Sequence, residues 1–267
     1  MTDFAPLLPF GDAPRAPSLF GAPGFGQAAS VPGFCLHHSD AVEWLCSIAT
    51  GSVDLVVTDP AYESLEKHRA IGTTTRLKHS KASSNDWFQI FPNSRFPELF
   101  REIHRVLRNN SHFYLFCDQE TMFVAKPLAE AAGFRFWKPL VWDKCKIGMG
   151  YHYRSRYELI LFFEKGKRRL NDLRVADVIA HPRIHRGYPA EKPTAVSETL
   201  IEQSSAPGEL VVDPFAGSGS VGVAALLAGR SFLGCDICAE AVAISERRLE
   251  AAGGRRHPGL YEGARGR

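Results

Sequence analysis

"VVDPFAGSGSVGVAALLAG", Val211 to Gly229, runs from an apolar stretch through an acid and a glycine-rich loop into a segment rich in Ala and Leu. Within it Gly217-Ser-Gly219-Ser-Val-Gly222 fits G-x-G-x-x-G. The match gains meaning from its place, because it follows a predicted strand (209–213) and opens a predicted helix (220–228). Glycines let the backbone turn tightly and approach a ligand, and the first turn of a helix offers unpaired N–H donors to an anionic group. The next strand, "SFLGCD", ends at Asp236, where an acid accepts from both hydroxyls of a ribose; Asp213 is placed to accept from an ammonium group. The bland alternative is a tight strand–helix turn with a capping Asp. The stronger competitor is a nicotinamide-dinucleotide site, which normally opens its domain with further βα units downstream. Here the motif is nearly the last unit, so the strands that complete the sheet must lie earlier in the chain.

They are legible there. "FCLHH" (34–38) reads as a strand, Asp40 to Ala49 as a helix capped by Ser39 or Asp40, and "VDLVV" (53–57) as a parallel strand covered on both faces. Helices over 95–108 and 119–132 alternate with strands over 112–117, 136–142 and 157–165, and a helix from Pro193 to Ser204 leads into the glycine loop. Strands alternating with helices predict an α/β fold with an open, mostly parallel, doubly wound sheet. Residues 1–31, rich in Pro, Gly and Ala, are expected to form a disordered tail. The domain is expected over 32–252, with a flexible tail over 253–267. Two irregular basic stretches, near 63–94 and 145–191, interrupt it, and a loop of such length in a compact domain is usually functional or disordered.

A second stretch carries chemistry. "VVTDPAYESL" (56–65) ends a buried strand on Asp59-Pro60-Ala61-Tyr62. Alone, this is either a turn with a solvated Asp or a clamp for a flat, amino-bearing base. It resembles the Asp-Pro-Pro-Tyr motif of amino-group DNA methyltransferases, and Asp213-Pro-Phe-Ala-Gly-Ser-Gly219 is similar to the S-adenosylmethionine loop of that family. The order, catalytic motif first and cofactor loop last, resembles the circularly permuted β group, and the likeness covers roughly 33–252. It implies a Rossmann-like methyltransferase sheet with permuted motif order, S-adenosylmethionine as cofactor, and transfer of its methyl group to the amino group of a flipped-out adenine in duplex DNA. The alternatives are the cytosine amino group and RNA.

The implied residue roles make chemical sense. An exocyclic amino nitrogen is a poor nucleophile because its lone pair is delocalised into the ring. Acceptors aimed at its N–H groups favour the reactive, pyramidal nitrogen as positive charge develops. The Asp59 carboxylate and the Pro60 carbonyl are the natural acceptors, and Tyr62 stacks on the base. Ala61 departs from the family pattern by replacing the second proline, which removes one fixed φ angle. The resemblance further assigns Asp40, Lys192, Asp213, Phe215, Ala216, Gly217, Ser218, Gly219 and Asp236 to the cofactor. It places Trp142 and Lys144 near the flipped base, and His185 or Tyr188 before the Lys192-Pro193 pair.

The totals are compatible with this. A net charge of +3 permits a nucleic-acid partner without demanding one, so the clustering of bases is what counts. Lys67, Arg69, Arg76, Lys78, Lys144, Arg154, Arg156 and Arg183 are the candidate DNA contacts, supplying salt-dependent affinity through phosphates. No metal is expected: Cys235 and Cys238 have Cys-x-x-Cys spacing but no second pair to complete a zinc site. Scattered cysteines and the lack of a membrane-length apolar run or secretory pattern point to the cytoplasm, as a bacterial nucleoid or phage-encoded protein. Double-stranded DNA, a second copy of the chain and a cognate restriction enzyme are the partners to expect.

Overall fold

The computed structural model describes residues 32–64, 89–148, 153–184 and 191–260. In chain order these form β1 (Gly33–His38), α1 (Ala41–Cys46), β2 (Val53–Thr58), α2 (Phe96–Val106), β3 (Leu107–Cys117), α3 (Gln119–Ala131), β4 (Arg135–Asp143), β5 (Tyr157–Lys165), β6 (Val178–Ala180), α4 (Thr194–Ser204), β7 (Leu210–Asp213), α5 (Ser220–Leu227), β8 (Ser231–Asp236), α6 (Ala239–Ala251) and β9 (Arg255–Arg256). The strands make one sheet in the order β6-β4-β5-β3-β2-β7-β8-β1-β9. All neighbours are parallel except β5, which runs antiparallel to both β3 and β4.

Each face of the sheet carries its own core. Val53 and Val56 of β2 pack with α1, α2 and α3, whereas Leu55 and Val57 pack with α4 and α5 on the opposite face. This alternation is why "VDLVV" reads as a continuous apolar run: both sides of the strand meet helices. The α/β class and the doubly wound, mostly parallel sheet expected from the sequence are what the chain forms.

The differences sit at element ends and sheet edges. Strand β3 begins at Leu107, five residues before the apolar run, because exposed Arg108, Asn109 and Asn110 separate the buried Leu107 from that run. Strand β6 lies within the stretch read as irregular, and β9 within the expected flexible tail, where it pairs with β1. The expected tail over 1–31 and the basic loop over 65–88 lie outside the described residues. Among the described residues no helix is long and apolar enough to cross a membrane.

The site is placed by the seam between β2 and β7. From β2 the chain proceeds through α2 to β3 on one side, and from β7 through α5 to β8 on the other. The loops leaving the two strands therefore diverge and open a crevice at their C-terminal ends, the usual ligand position in open α/β sheets. Two bonds close the seam beneath it. Asp54 of β2 accepts from the Leu210 amide (2.8 Å), and the Thr58 hydroxyl at the end of β2 donates to Asp213 Oδ1 (2.6 Å).

Candidate active site

The crevice holds a cavity of about 490 Å³, within the range of small-molecule sites. Elements on the β7-β8-β1 side contribute Asp213, Phe215, Ala216, Gly217, Ser218, Asp236 and Asp40 to its lining. Those on the β2-β3-β5 side contribute Asp59, Pro60, Tyr62, Phe116 and Glu158, and Lys192 joins them from the segment before α4. The two motifs, about 150 positions apart in the chain, thus share one chamber.

On the β7 side the glycine loop is pinned from several directions. Gly217 and Gly219 have φ of +50° and +77°, a region where a side chain would be strained. The Gly217 amide donates to Asp236 Oδ2 (2.8 Å), the Cys238 amide to Asp236 Oδ1 (2.8 Å), and the Phe215 amide to Asp213 Oδ1 (2.9 Å). Arg248 of α6 donates to the Ser218 carbonyl (2.6 Å) and to Glu191 (2.5 Å), tying the loop to the segment that carries Lys192. Burial pushes the Asp213 carboxyl up to about 7, only partly offset by the Thr58 hydroxyl and the Phe215 amide. Burial also raises Asp236. Two buried carboxylates whose charge is under-compensated beside an open backbone loop suit a ligand bearing hydroxyls and a cation. The S-adenosylmethionine that the resemblance implies has both, so the residues present fit it.

Asp40 is more committed than the sequence suggests. It caps α1, its Oδ1 accepting from the Val42 and Glu43 amides, and both its oxygens also take the Arg95 guanidinium at 2.7 and 2.9 Å. That guanidinium holds the carboxyl below the usual carboxylate range. Arg95 lines the cavity and lies over the Phe91 ring, which packs edge-on against Phe215. Sequence reading missed Arg95, for nothing in its neighbourhood connects it with an acid 55 positions away.

On the β2 side, Asp59 follows the last residue of β2, and Tyr62 is 7% exposed within the cavity wall. The Ala61 carbonyl accepts from the Phe91 amide (2.8 Å), so the backbone is held there by a hydrogen bond where the family pattern has a proline ring. Lys192, expected at the cofactor, lines the same cavity as the glycine loop. Its ammonium donates to Asp59 Oδ2 and pairs with Glu158 Oε2 at 3.3 Å, so it also meets the Asp59-Pro60-Ala61-Tyr62 stretch. Lys144, expected at DNA, points inward and donates to Glu158 Oε1 at 2.6 Å, because a buried carboxylate needs counter-charge. Burial drives the Lys192 ammonium down, but Asp59 and Glu158 more than offset this and hold it well above its usual value. Burial also raises Glu158, yet two ammonium groups bring it below its ordinary value; Asp59, with Lys192 as its main cation, stays raised. Glu158 sits in "YELILFFEK" and reads as a strand's polar entry, which carries no local sign of its place in the cavity.

The remaining expectations divide. Trp142 is core, 2% exposed, with its indole N–H donating to the His181 carbonyl (2.8 Å); it does not line the cavity. Arg154 and Arg183 are exposed, Arg154 donating to the Gly148 carbonyl (2.7 Å). Arg156 is exposed and bidentate on Asp143 at 2.6 and 2.7 Å. Lys67, Arg69, Arg76, Lys78, His185 and Tyr188 lie outside the described residues.

Comparison with known proteins agrees with this geometry. Residues 53–247 match a family model described as DNA methylase. The DNA adenine methyltransferase YhdJ of Escherichia coli (strain K12) is 29% identical, with 85% of each chain covered. The type II methyltransferase M.HpaI of Haemophilus parainfluenzae is 25% identical over 80% of this chain and 73% of its own. In fold, the chain is similar to the PvuII DNA methyltransferase (cytosine-N4-specific), with a TM-score of 0.63, 15% identity, and coverage of 87% of this chain and 93% of that one.

Proposed function

The chain belongs to the DNA methylase family, and from that membership we propose that it transfers a methyl group from S-adenosylmethionine to the N6 amino group of a flipped-out adenine in duplex DNA. The observation that carries this reading is the shared cavity at the β2–β7 seam, with Asp59-Pro60-Ala61-Tyr62 on one side and the 213–219 loop on the other. Asp as the first motif residue favours adenine over cytosine, and a relative named for adenine methylation supports the same choice.

S-adenosylmethionine, when bound, supplies a methyl group on a positively charged sulfur. The chain's own residues do the rest. Asp213 accepts from the ammonium group, Asp236 from the ribose hydroxyls, and the glycine backbone lets the ligand approach closely. The Asp59 carboxylate and Pro60 carbonyl accept from the two amino N–H groups of the base, directing the nitrogen lone pair out of the ring plane. Tyr62 packs on the ring face. A base inside a duplex cannot reach a cavity at this depth, so it must swing out of the stack. Exposed Arg154, Arg156 and Arg183 hold the phosphate backbone, as do Lys67, Arg69, Arg76 and Lys78 in the same reading. A second copy of the chain and a cognate restriction enzyme are the further partners, and action on chromosomal or phage DNA places the protein in the cytoplasm.

The test is transfer of a tritiated methyl group to duplex DNA and to RNA, followed by nucleoside analysis. N6-methyladenine in DNA is the expected product; N4-methylcytosine, or label in RNA alone, overturns the adenine-DNA reading. Asp59→Ala should bind S-adenosylmethionine as the parent does and lose turnover by roughly 100-fold or more, the scale of removing one pre-aimed polar group. Normal turnover by this variant would remove Asp59 from the clamp.

A further inference from the structure

Asp59 is not alone at its end of the cavity. Lys192, Glu158 and Lys144 continue from it as a chain of alternating charge: Asp59 Oδ2 to Lys192 Nζ, Lys192 Nζ to Glu158 Oε2 at 3.3 Å, and Glu158 Oε1 to Lys144 Nζ at 2.6 Å. The four come from four separate parts of the chain: the end of β2, the segment before α4, the start of β5 and the residue after β4. The side chains of Lys192, Asp59, Glu158 and Lys144 are at most a quarter exposed.

We propose that Lys192, braced by Glu158, is a positioning residue for methyl transfer: it occupies Asp59 Oδ2, keeps that carboxylate ionised, and leaves Oδ1 to accept from the amino group of the base. The proposal rests on the methyltransferase reading above. It assigns Lys192 to the acceptor base, not to the cofactor.

The electrostatics follow from the arrangement. Asp59 also faces Asp213 of β7, Cys117 at the end of β3, and Tyr62 on its own loop. None of these is a cation, so Lys192 is the principal countercharge and Lys144 the more distant one. Without Lys192, two largely buried carboxylates would be left close together, and their repulsion would make one of them hold a proton more readily. A protonated Asp59 presents a donor where the amino group needs an acceptor. Glu158 acts on Asp59 in two ways: its charge raises Asp59, and its ion pair with Lys192 helps fix where the ammonium sits.

The experiment compares kcat–pH profiles on duplex DNA, together with calorimetric binding of S-adenosylhomocysteine, for the parent, Lys192→Met, Lys192→Arg and Glu158→Gln. In Lys192→Met the acid limb of kcat should move up by roughly one to three pH units while cofactor-product binding is retained. Lys192→Arg should keep the limb near the parent's position. Glu158→Gln, which removes a like charge while its amide oxygen can still accept from the Lys192 ammonium, should move it down, and this variant tests the proposal even if Lys192→Met fails to fold. An unmoved limb in Glu158→Gln, or loss of S-adenosylhomocysteine binding in folded Lys192→Met, overturns the positioning role. Absence of methylation by the parent itself would fail the broader reading instead.

Discussion

At the scale of single residues, Asp213 shows what burying a carboxylate without a cation beside it costs the fold. Its folded value near 7 lies above the ordinary 3.8, so the protonated form is favoured by the fold. The corresponding stability is fully present below about pH 4 and is lost as pH rises through 7. Asp213→Asn keeps an oxygen for the Thr58 hydroxyl and the Phe215 amide but carries no charge. It should therefore unfold at higher denaturant than the parent at pH 8, by on the order of 2–4 kcal/mol, with the difference shrinking towards pH 4. The same variant should bind S-adenosylmethionine about 10- to 100-fold more weakly, since a charge-assisted hydrogen bond to the ammonium group is lost. In the parent, affinity should fall as pH drops below about 7, because Asp213 must ionise to accept. Denaturation and calorimetry at pH 5, 6 and 8 measure both effects. Residue types at the motifs were readable from sequence because loop glycines and strand-end acids are local signals. Arg95, Glu158 and the contact of Lys192 with Asp59 were not, because each is defined by a partner brought in by tertiary packing: Asp59 is 133 positions from Lys192.

Among elements, legibility followed burial. Strands β2, β5, β7 and β8 stood out because helices cover them and impose apolar runs. Strands β6 and β9, of three and two residues, have no such run; "VIA" and "RR" become strands only because β4 and β1 offer an edge to pair with. The glycine loop is held by how closely α5 lies on β8. A Cβ at Gly222 would meet Phe232 Cε1 at 2.6 Å and Leu249 Cδ2 at 2.7 Å, so the helix must shift outward to admit even a methyl group. Gly222→Ala should cost about 1–3 kcal/mol from overpacking, against a gain of up to about 1 kcal/mol in helix propensity. Because Ser220 and Val221, just before it, line the cavity, that shift should also raise KM for S-adenosylmethionine. Chemical denaturation and cofactor titration of this variant separate the two effects. A stability unchanged from the parent would show that α5 is not held by this contact.

Across the whole molecule, the cations divide into those facing inward and those facing outward, and the two groups should respond to different variables. A net charge of +3 on 267 residues gives no strong overall field, so DNA affinity must rest on local clusters. Arg154 and Arg183 are exposed and can turn to phosphates, whereas Lys144 is engaged with Glu158, which lines the cavity. Each phosphate contact contributes a slope of roughly −0.9 in log affinity against log salt. Arg154→Ala should therefore weaken binding to every duplex sequence alike and make the salt slope shallower by about one, with kcat at saturating DNA unchanged. Lys144→Ala should leave the salt slope where it is. It should instead raise the acid limb of kcat, since Lys144 lowers both Asp59 and Glu158. Binding measured between 50 and 200 mM salt, beside kcat–pH profiles of the two variants, distinguishes a phosphate contact from an internal countercharge. If Lys144→Ala flattens the salt slope instead, the lysine reaches DNA in the complex, and the charge chain to Asp59 opens when the duplex is bound.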